Sequence, residues 1–166
     1  MRVVLDAGPL IHLSWIDRLD LLHSVFADIV VPIAVRDEVL AAPAGTLGLQ
    51  SIQAAFAEPW LRVESPGRAS VALSASEQRL GHGEREAIRL ADWISADLLL
   101  TDDAPARRMA QERGIRVSGT LGVLRMARQR GLIPAALPLL LELRRLGQWI
   151  GYDLLDRVAR EEIELR

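Results

Sequence analysis

The sequence predicts an α/β fold, a three-layer α/β/α sandwich around a central parallel sheet. Three observations lead there. Runs of three apolar residues at 3–5, 29–31 and 98–100 are too short for helices and do not alternate with polar residues, as strands buried on both faces require. Segments with helical apolar spacing separate these runs. Two of the runs end in carboxylates, Asp6 and the pair Asp102 and Asp103, at the sheet edge where parallel folds gather functional groups. The chain has 166 residues, which suits one domain over 1–166 and a full core without covalent staples.

The elements follow in order. Residues 3–5 form the first strand. Gly8 and Pro9 break it, and Leu10, Ile11 and Leu13 open a helical pattern. Asp17 is placed to cap the next helix, whose Leu19, Leu22, Val25 and Phe26 recur at helical spacing. The strand at 29–31 stops at Pro32, which suits the first turn of a helix running to Ala41. That helix is expected to turn Ile33, Val35 and Val39 inward, with Asp37 and Glu38 near its far end. Residues 42–48 read as a loop, 52–57 as a short helix and 61–63 as an edge strand. The stretch 65–76, SPGRASVALSAS, has no regular pattern and reads as a mobile loop.

A helix is expected over 84–94 with Ala87, Ile88, Ala91 and Ile94 on one face. The strand 98–100 ends at Thr101-Asp102-Asp103, and a helix with Pro105 in its first turn and Met109 and Ala110 inward follows. Residues 115–117 read as another strand. Thr120 reads as the cap of a helix that Gly131 ends in the left-handed conformation. A closing helix pair is expected at about 135–146 and 152–164, parted by Gly147 and Gly151.

Composition excludes several chemistries. There is no cysteine, hence no thiolate catalysis, iron–sulfur cluster, cysteine zinc site or disulfide, which accords with a reducing cytoplasm. All 20 basic residues are Arg. Without lysine there is no phosphate-loop lysine, no kinase lysine and no Schiff base. No apolar run approaches the ~18 residues of a membrane span, and the acid-containing start does not resemble a targeting segment. The expectation is a soluble cytoplasmic protein with no membrane partner. Twenty Arg against 22 Asp and Glu give a net charge of −2, which does not itself advertise nucleic acid. A cluster of acids lowers that sum without weakening a basic rim beside it.

Five carboxylates stand out: Asp6, Glu38, Glu84, Asp102 and Asp103. Carboxylates brought together repel, and a divalent cation or a shared proton relieves the repulsion. Glu84 lies in the first turn of its helix, where the dipole favours an anion, whereas Glu38 lies near a helix end, where the dipole opposes one. Acids from separate segments would make a hard, oxygen-rich site suited to Mg2+ or Mn2+. Such a site activates water and stabilises charge on a phosphate in transfer; two metals ~4 Å apart would clamp both the attacking and leaving oxygens. Each acid also has an ordinary reading. Asp6 can end a strand, Glu38 can be solvated, Glu84 can favour the dipole, and Asp103 can cap the next helix.

Arg107 and Arg108 follow the acids and suit phosphate contact, and Arg125, Arg128 and Arg130 form a second basic stretch; the ordinary reading of both is a solvated helix face. His82 reads as a solvated loop residue, and His12 and His23 as helix packing. Trp15, Trp60, Trp93 and Trp149 are scattered through the chain.

In that order and spacing, the segments VVLDAGPLIHL, PIAVRDEVL, GHGEREAIRLA and DLLLTDDAPARRMA resemble the PIN-domain nucleases over about residues 2–130. The closing helix pair is similar to that of small prokaryotic PIN-like proteins. The resemblance implies an α/β/α sandwich and a metal-dependent nuclease, here an endoribonuclease that hydrolyses phosphodiester bonds with metal-activated water. Many relatives are the toxin halves of toxin–antitoxin pairs (VapC-like toxins). By the resemblance Asp6 matches the strand-end acid, Glu38 the helical acid, Glu84 the third acid, and Asp102 or Asp103 the last. Asp6, Glu84, Asp102 and Asp103 would then hold Mg2+ or Mn2+, with Thr101 as an accessory hydroxyl.

Two positions depart from the family pattern: Gly8 stands where Ser or Thr is common, and Glu84 where Asp is common. The implied partners are RNA, an antitoxin protein and a second copy in a homodimer. The alternative is a catalytically inactive PIN-like module that binds a protein partner or RNA. A phosphotransfer domain also uses strand-end aspartates, but it needs the lysine that is missing here.

Overall fold

The computed structural model of the chain describes residues 1–67 and 77–164. From 68 onward, the stretch expected as a mobile loop lies outside the described residues. A five-stranded parallel sheet forms the centre, in the order β3-β2-β1-β4-β5. Its strands are β1 (Arg2–Leu5), β2 (Asp28–Pro32), β3 (Leu61–Glu64), β4 (Leu98–Leu100) and β5 (Val117–Ser118). Parallel neighbours need crossovers, and helices supply them. Helices α1 (Ala7–Trp15) and α2 (Asp20–Val25) connect β1 to β2, and α3 (Ile33–Leu40) and α4 (Leu49–Phe56) connect β2 to β3. Helix α5 (His82–Trp93) precedes β4, and α6 (Ala104–Glu112) connects β4 to β5. Helices α7 (Thr120–Gln129), α8 (Leu137–Arg145) and α9 (Tyr152–Glu164) close the chain.

Alternate strand residues point to opposite faces, which explains the unbroken apolar runs. Val4, Val30 and Leu99 pack in one core with Ala87, Ile88 and Ala91 of α5 and Ala106, Met109 and Ala110 of α6. Val3, Leu5, Ile29, Val31 and Leu100 pack in the other with Leu10, Leu22, Val123 and Leu124. Both layers must be covered, so three layers follow. The closing helices join the second core through Leu140, Leu143, Leu155 and Val158. Glu162 of α9 accepts hydrogen bonds from the N–H groups of Ala136 (2.5 Å) and Leu137 (3.2 Å). It thereby caps α8 from outside, where no local side chain does.

Several expectations change. Ile33 is 40% exposed. The inward stripe of α3 is set by Val35 and Val39, and a residue two positions before Val35 falls on the far side of the helix. Asp17 does not cap α2: it adopts a left-handed turn (φ 52), and α2 starts from Leu19 without a side-chain cap. Pro32 ends β2 and is the N-cap of α3, one step before the first turn. Thr120 is the first residue of α7, with Gly119 at the N-cap, so its hydroxyl is available elsewhere. The last strand is shifted to Val117–Ser118, while Ile115 is buried in the core. Gly131 does take the left-handed conformation, φ 72. Among the described residues no helix is long and apolar enough to cross a membrane.

Candidate metal centre

Asp6 sits where β1 runs out. Its N–H donates to the carbonyl of Leu100 (3.0 Å), extending the β1–β4 ladder by one residue and fixing Asp6 at the carboxyl edge. Its Oδ1 accepts from the Ala7 N–H (2.8 Å) and so starts α1. Its Oδ2 accepts from the Thr101 hydroxyl (2.6 Å), and Thr101 is fully buried. The hydroxyl that Gly8 cannot supply therefore reaches the first acid from β4. Burial pushes the Asp6 carboxyl up from 3.8 to about 6. The Thr101 and Ala7 hydrogen bonds oppose that rise, and the negative charges of Glu84 and Glu38 add to it.

Glu84 lies in the first turn of α5, and its Oε2 is buried without a hydrogen-bond partner. Burial lifts its carboxyl above the usual glutamate value, the charges of Asp103 and Glu38 lift it further, and backbone groups of Glu84 and Gly81 partly oppose the rise. Glu38 is an exposed residue of α3, which packs beside α5. The two glycines around His82 make room for these acids. A Cβ on Gly81 would come 2.1 Å from Glu84 Oε2, and one on Gly83 would come 2.6 Å from Glu38 Oε2. Asp103 caps α6, its Oδ1 accepting from the Ala106 N–H (2.7 Å). The charges of Glu38, Glu84 and Asp103 are thus felt by the Asp6 or the Glu84 carboxyl at one end of the sheet.

Asp102 is occupied differently. Its Oδ1 accepts from the Thr120 N–H (2.8 Å), and its Oδ2 from the Thr120 hydroxyl (2.5 Å) and His12 Nδ1 (2.7 Å). A carboxylate only accepts, so the His12 nitrogen that faces it carries the proton. Burial would raise the Asp102 carboxyl, but the hydrogen bonds from His12 and Thr120 outweigh it and hold it below the usual value. Three donors from two helices leave this carboxylate little capacity for a further ligand.

Two glycines frame Asp102. A Cβ on Gly119 would lie 2.3 Å from Asp102 Oδ1 and 3.1 Å from the Thr101 carbonyl oxygen, whereas one on Gly8 would meet Asp102 Cβ at 3.4 Å. Gly119→Ala is therefore expected to lower stability by about 1–3 kcal/mol through overpacking. Gly8→Ala should cost little, because a helical alanine gains roughly as much in propensity as the contact loses. Thermal melts of the two variants check this contrast.

His12 and Thr120 are the members that sequence reasoning missed. The available signal was the spacing of Gly8 and His12, four residues apart on one face of α1, which marks a close approach to a neighbour. The arginines separate as well. Arg107 Nη1 donates to the Thr101 carbonyl (3.0 Å), and Arg108 is exposed. Arg125 pairs with Glu161, and Arg128 approaches Glu162 (3.9 Å). Arg130 donates to the carbonyls of Ser24 and Val25 at the end of α2, a structural role. His82 is exposed, and His23 lies against Trp60.

Among the described residues no three His, Asp or Glu side chains are close enough together to cage a metal ion as they stand. The chemistry of the donors still fits a hard divalent cation: carboxylates from four elements, one with a buried oxygen that nothing satisfies.

A search of the curated proteins finds no match to this chain. A family model described as a PIN domain matches residues 2–164, extending the likeness through the closing helices. With a parallel five-stranded sheet between helical layers, acids at its carboxyl edge and a match over nearly all its length, the chain belongs to the PIN-domain family, whose members are in general metal-dependent nucleases.

Proposed function

We propose that this protein is a divalent-metal-dependent endoribonuclease in which Asp6, Glu84 and Asp103 would hold Mg2+ or Mn2+ and Glu38 would complete the acidic wall. The observation that carries this reading is the buried, unpartnered Oε2 of Glu84 among mutually repelling carboxylates. A cation bound there would neutralise the acids, activate a water and stabilise charge on the phosphodiester. The residues of the chain do the rest. Thr101 and the Ala7 N–H orient the Asp6 carboxylate from both sides. The cap that Asp103 makes on α6 fixes its carboxylate at the strand end. Glu84 and Glu38 would face the cation from α5 and α3. Asp102 is a positioning residue on this reading, tying the end of β4 to α1 and α7.

Two further parts of the proposal concern the setting. A nuclease acting in the cytoplasm needs restraint, which an antitoxin segment laid over the acids would provide. A second copy of the chain would form a homodimer. A calorimetric titration of Mn2+ into metal-stripped protein tests the core of the reading, followed by digestion of an RNA and a DNA of the same sequence. Saturable binding and metal-dependent cleavage of the RNA are expected. A folded protein that takes up no Mn2+, with or without a short RNA, would leave a non-catalytic PIN-like binding module in its place.

A further inference from the structure

Beside the acids lies a cavity of about 330 Å3, lined by Arg107, Ser118, Gly119, Gly122, Arg125 and Leu154 and bounded by Asp102. We propose that this cavity is a subsite for a backbone phosphate of single-stranded RNA, gripped by Arg107 and Arg125. The choice of ligand rests on the nuclease reading; the cavity itself does not.

Three features support it. The first is charge. Two arginines line the cavity, and the one acid that bounds it, Asp102, is committed to Thr120 and His12. Among the described residues Arg107 has no acid within ion-pair distance, and its hydrogen bond to the Thr101 carbonyl anchors one arm of the fork. Two such forks suit a phosphate, which accepts from both at once.

The second feature is the start of α7. Its N-cap Gly119 makes no side-chain cap, Asp102 takes only the first N–H, and the N–H groups of Leu121 and Gly122 have no partner within the helix. Gly119 and Gly122 add no side chain of their own to the cavity; Asp102 Oδ1 lies close over Gly119, and the Ser118 hydroxyl close over Gly122, where it adds a polar group to the lining. The third is position. Thr101 donates its hydroxyl to Asp6 and accepts from Arg107 at its carbonyl, so one residue links the acid cluster to the cavity.

In the free protein Arg125 is paired with Glu161 of α9, and both side chains are well exposed (40% and 37%). An exposed pair of this kind parts readily. Glu161 thus competes with RNA for Arg125, and this gives the test its sign.

The experiment is fluorescence anisotropy of a short labelled single-stranded RNA with metal-stripped protein in EDTA, between about 50 and 200 mM salt. Arg125→Ala and Arg107→Ala are each expected to weaken binding about tenfold and to lower the salt slope by about 0.7, the share of one phosphate contact on a single strand. Glu161→Gln is expected to tighten binding, a change that loss of folding does not produce. Wild-type affinity in both arginine variants overturns the proposal, as does weaker binding by Glu161→Gln or no RNA binding by the wild type at the lowest salt. A Mn2+ titration of the same variants separates the two readings. Intact metal uptake with unchanged RNA affinity removes only the phosphate subsite. Altered RNA affinity without any metal uptake removes only the metal site.

Discussion

Asp6→Asn is expected to abolish Mn2+ binding and, at the same time, to raise the melting temperature at neutral pH. The two effects share one cause. Burial lifts the Asp6 carboxyl from 3.8 to about 6. A group that holds its proton more tightly when folded favours folding at low pH and opposes it once it must ionise. This part of the stability is lost as pH rises from about 4 to about 6 and stays lost above that. A rise of that size corresponds to about 3 kcal/mol, an upper value because it assumes a fully solvated unfolded carboxyl.

Asparagine carries no charge; its oxygen can keep the bond from Ala7, and its amide can replace the bond from Thr101 by one donated to the Thr101 oxygen. The variant should therefore hold its stability between pH ~4 and ~7, where the wild type declines. At pH ~7.5 it should melt on the order of 5 °C higher. Saturating Mn2+ should reverse the ranking, because only the wild type gains the binding free energy. Melting curves of both proteins across pH, with and without Mn2+, test the whole pattern. A variant that melts lower than the wild type without metal would show that the Asp6 charge is itself structural, contrary to this account.

The second large effect separates neighbouring aspartates. Asp102→Ala leaves three donors without their acceptor: His12 Nδ1–H, the Thr120 N–H and the Thr120 hydroxyl. A buried donor left unsatisfied costs about 1–3 kcal/mol, and partial hydration softens the sum. The expected loss is on the order of 3 kcal/mol, read from urea denaturation with an unchanged slope. Asp103→Asn should keep its cap on α6, since asparagine caps as well as aspartate, and stay within about 0.5 kcal/mol of the wild type. Its Mn2+ affinity should nevertheless fall at least tenfold (about 1.4 kcal/mol). The reverse result, with Asp103→Asn binding Mn2+ normally, would move the metal to Asp102 and end the positioning role assigned to it.

Much of this could be read from the chain before folding. The strands were legible because burial on both faces demands unbroken apolar runs, and such runs stand at 3–5, 29–31 and 98–100. That Asp6, Asp102 and Asp103 stand at strand ends was legible from the runs they follow; the hydrogen bonds each makes there were not. Gly131 was legible because a helix that stops at glycine commonly takes the left-handed turn. Caps were less so. Whether Asp17 or Thr120 caps a helix depends on backbone angles that distant packing sets, and in both cases the packing chose otherwise.

By itself, then, the sequence determined the parallel sheet, the helical crossovers, the carboxyl-edge acids and the family to which they belong. The tertiary structure alone decided how those acids are divided. Asp102 and Asp103 are adjacent in the chain, so composition and spacing treat them alike. Their fates depend on which neighbour each meets. Asp102 turns to His12, 90 residues earlier, and to Thr120, 18 residues later, while Asp103 caps its own helix within the field of Glu84. Local propensity carries no information about partners so far apart. Only the packing of α1 and α7 against the end of β4 brings the three donors to one carboxylate and leaves the other to the acid cluster.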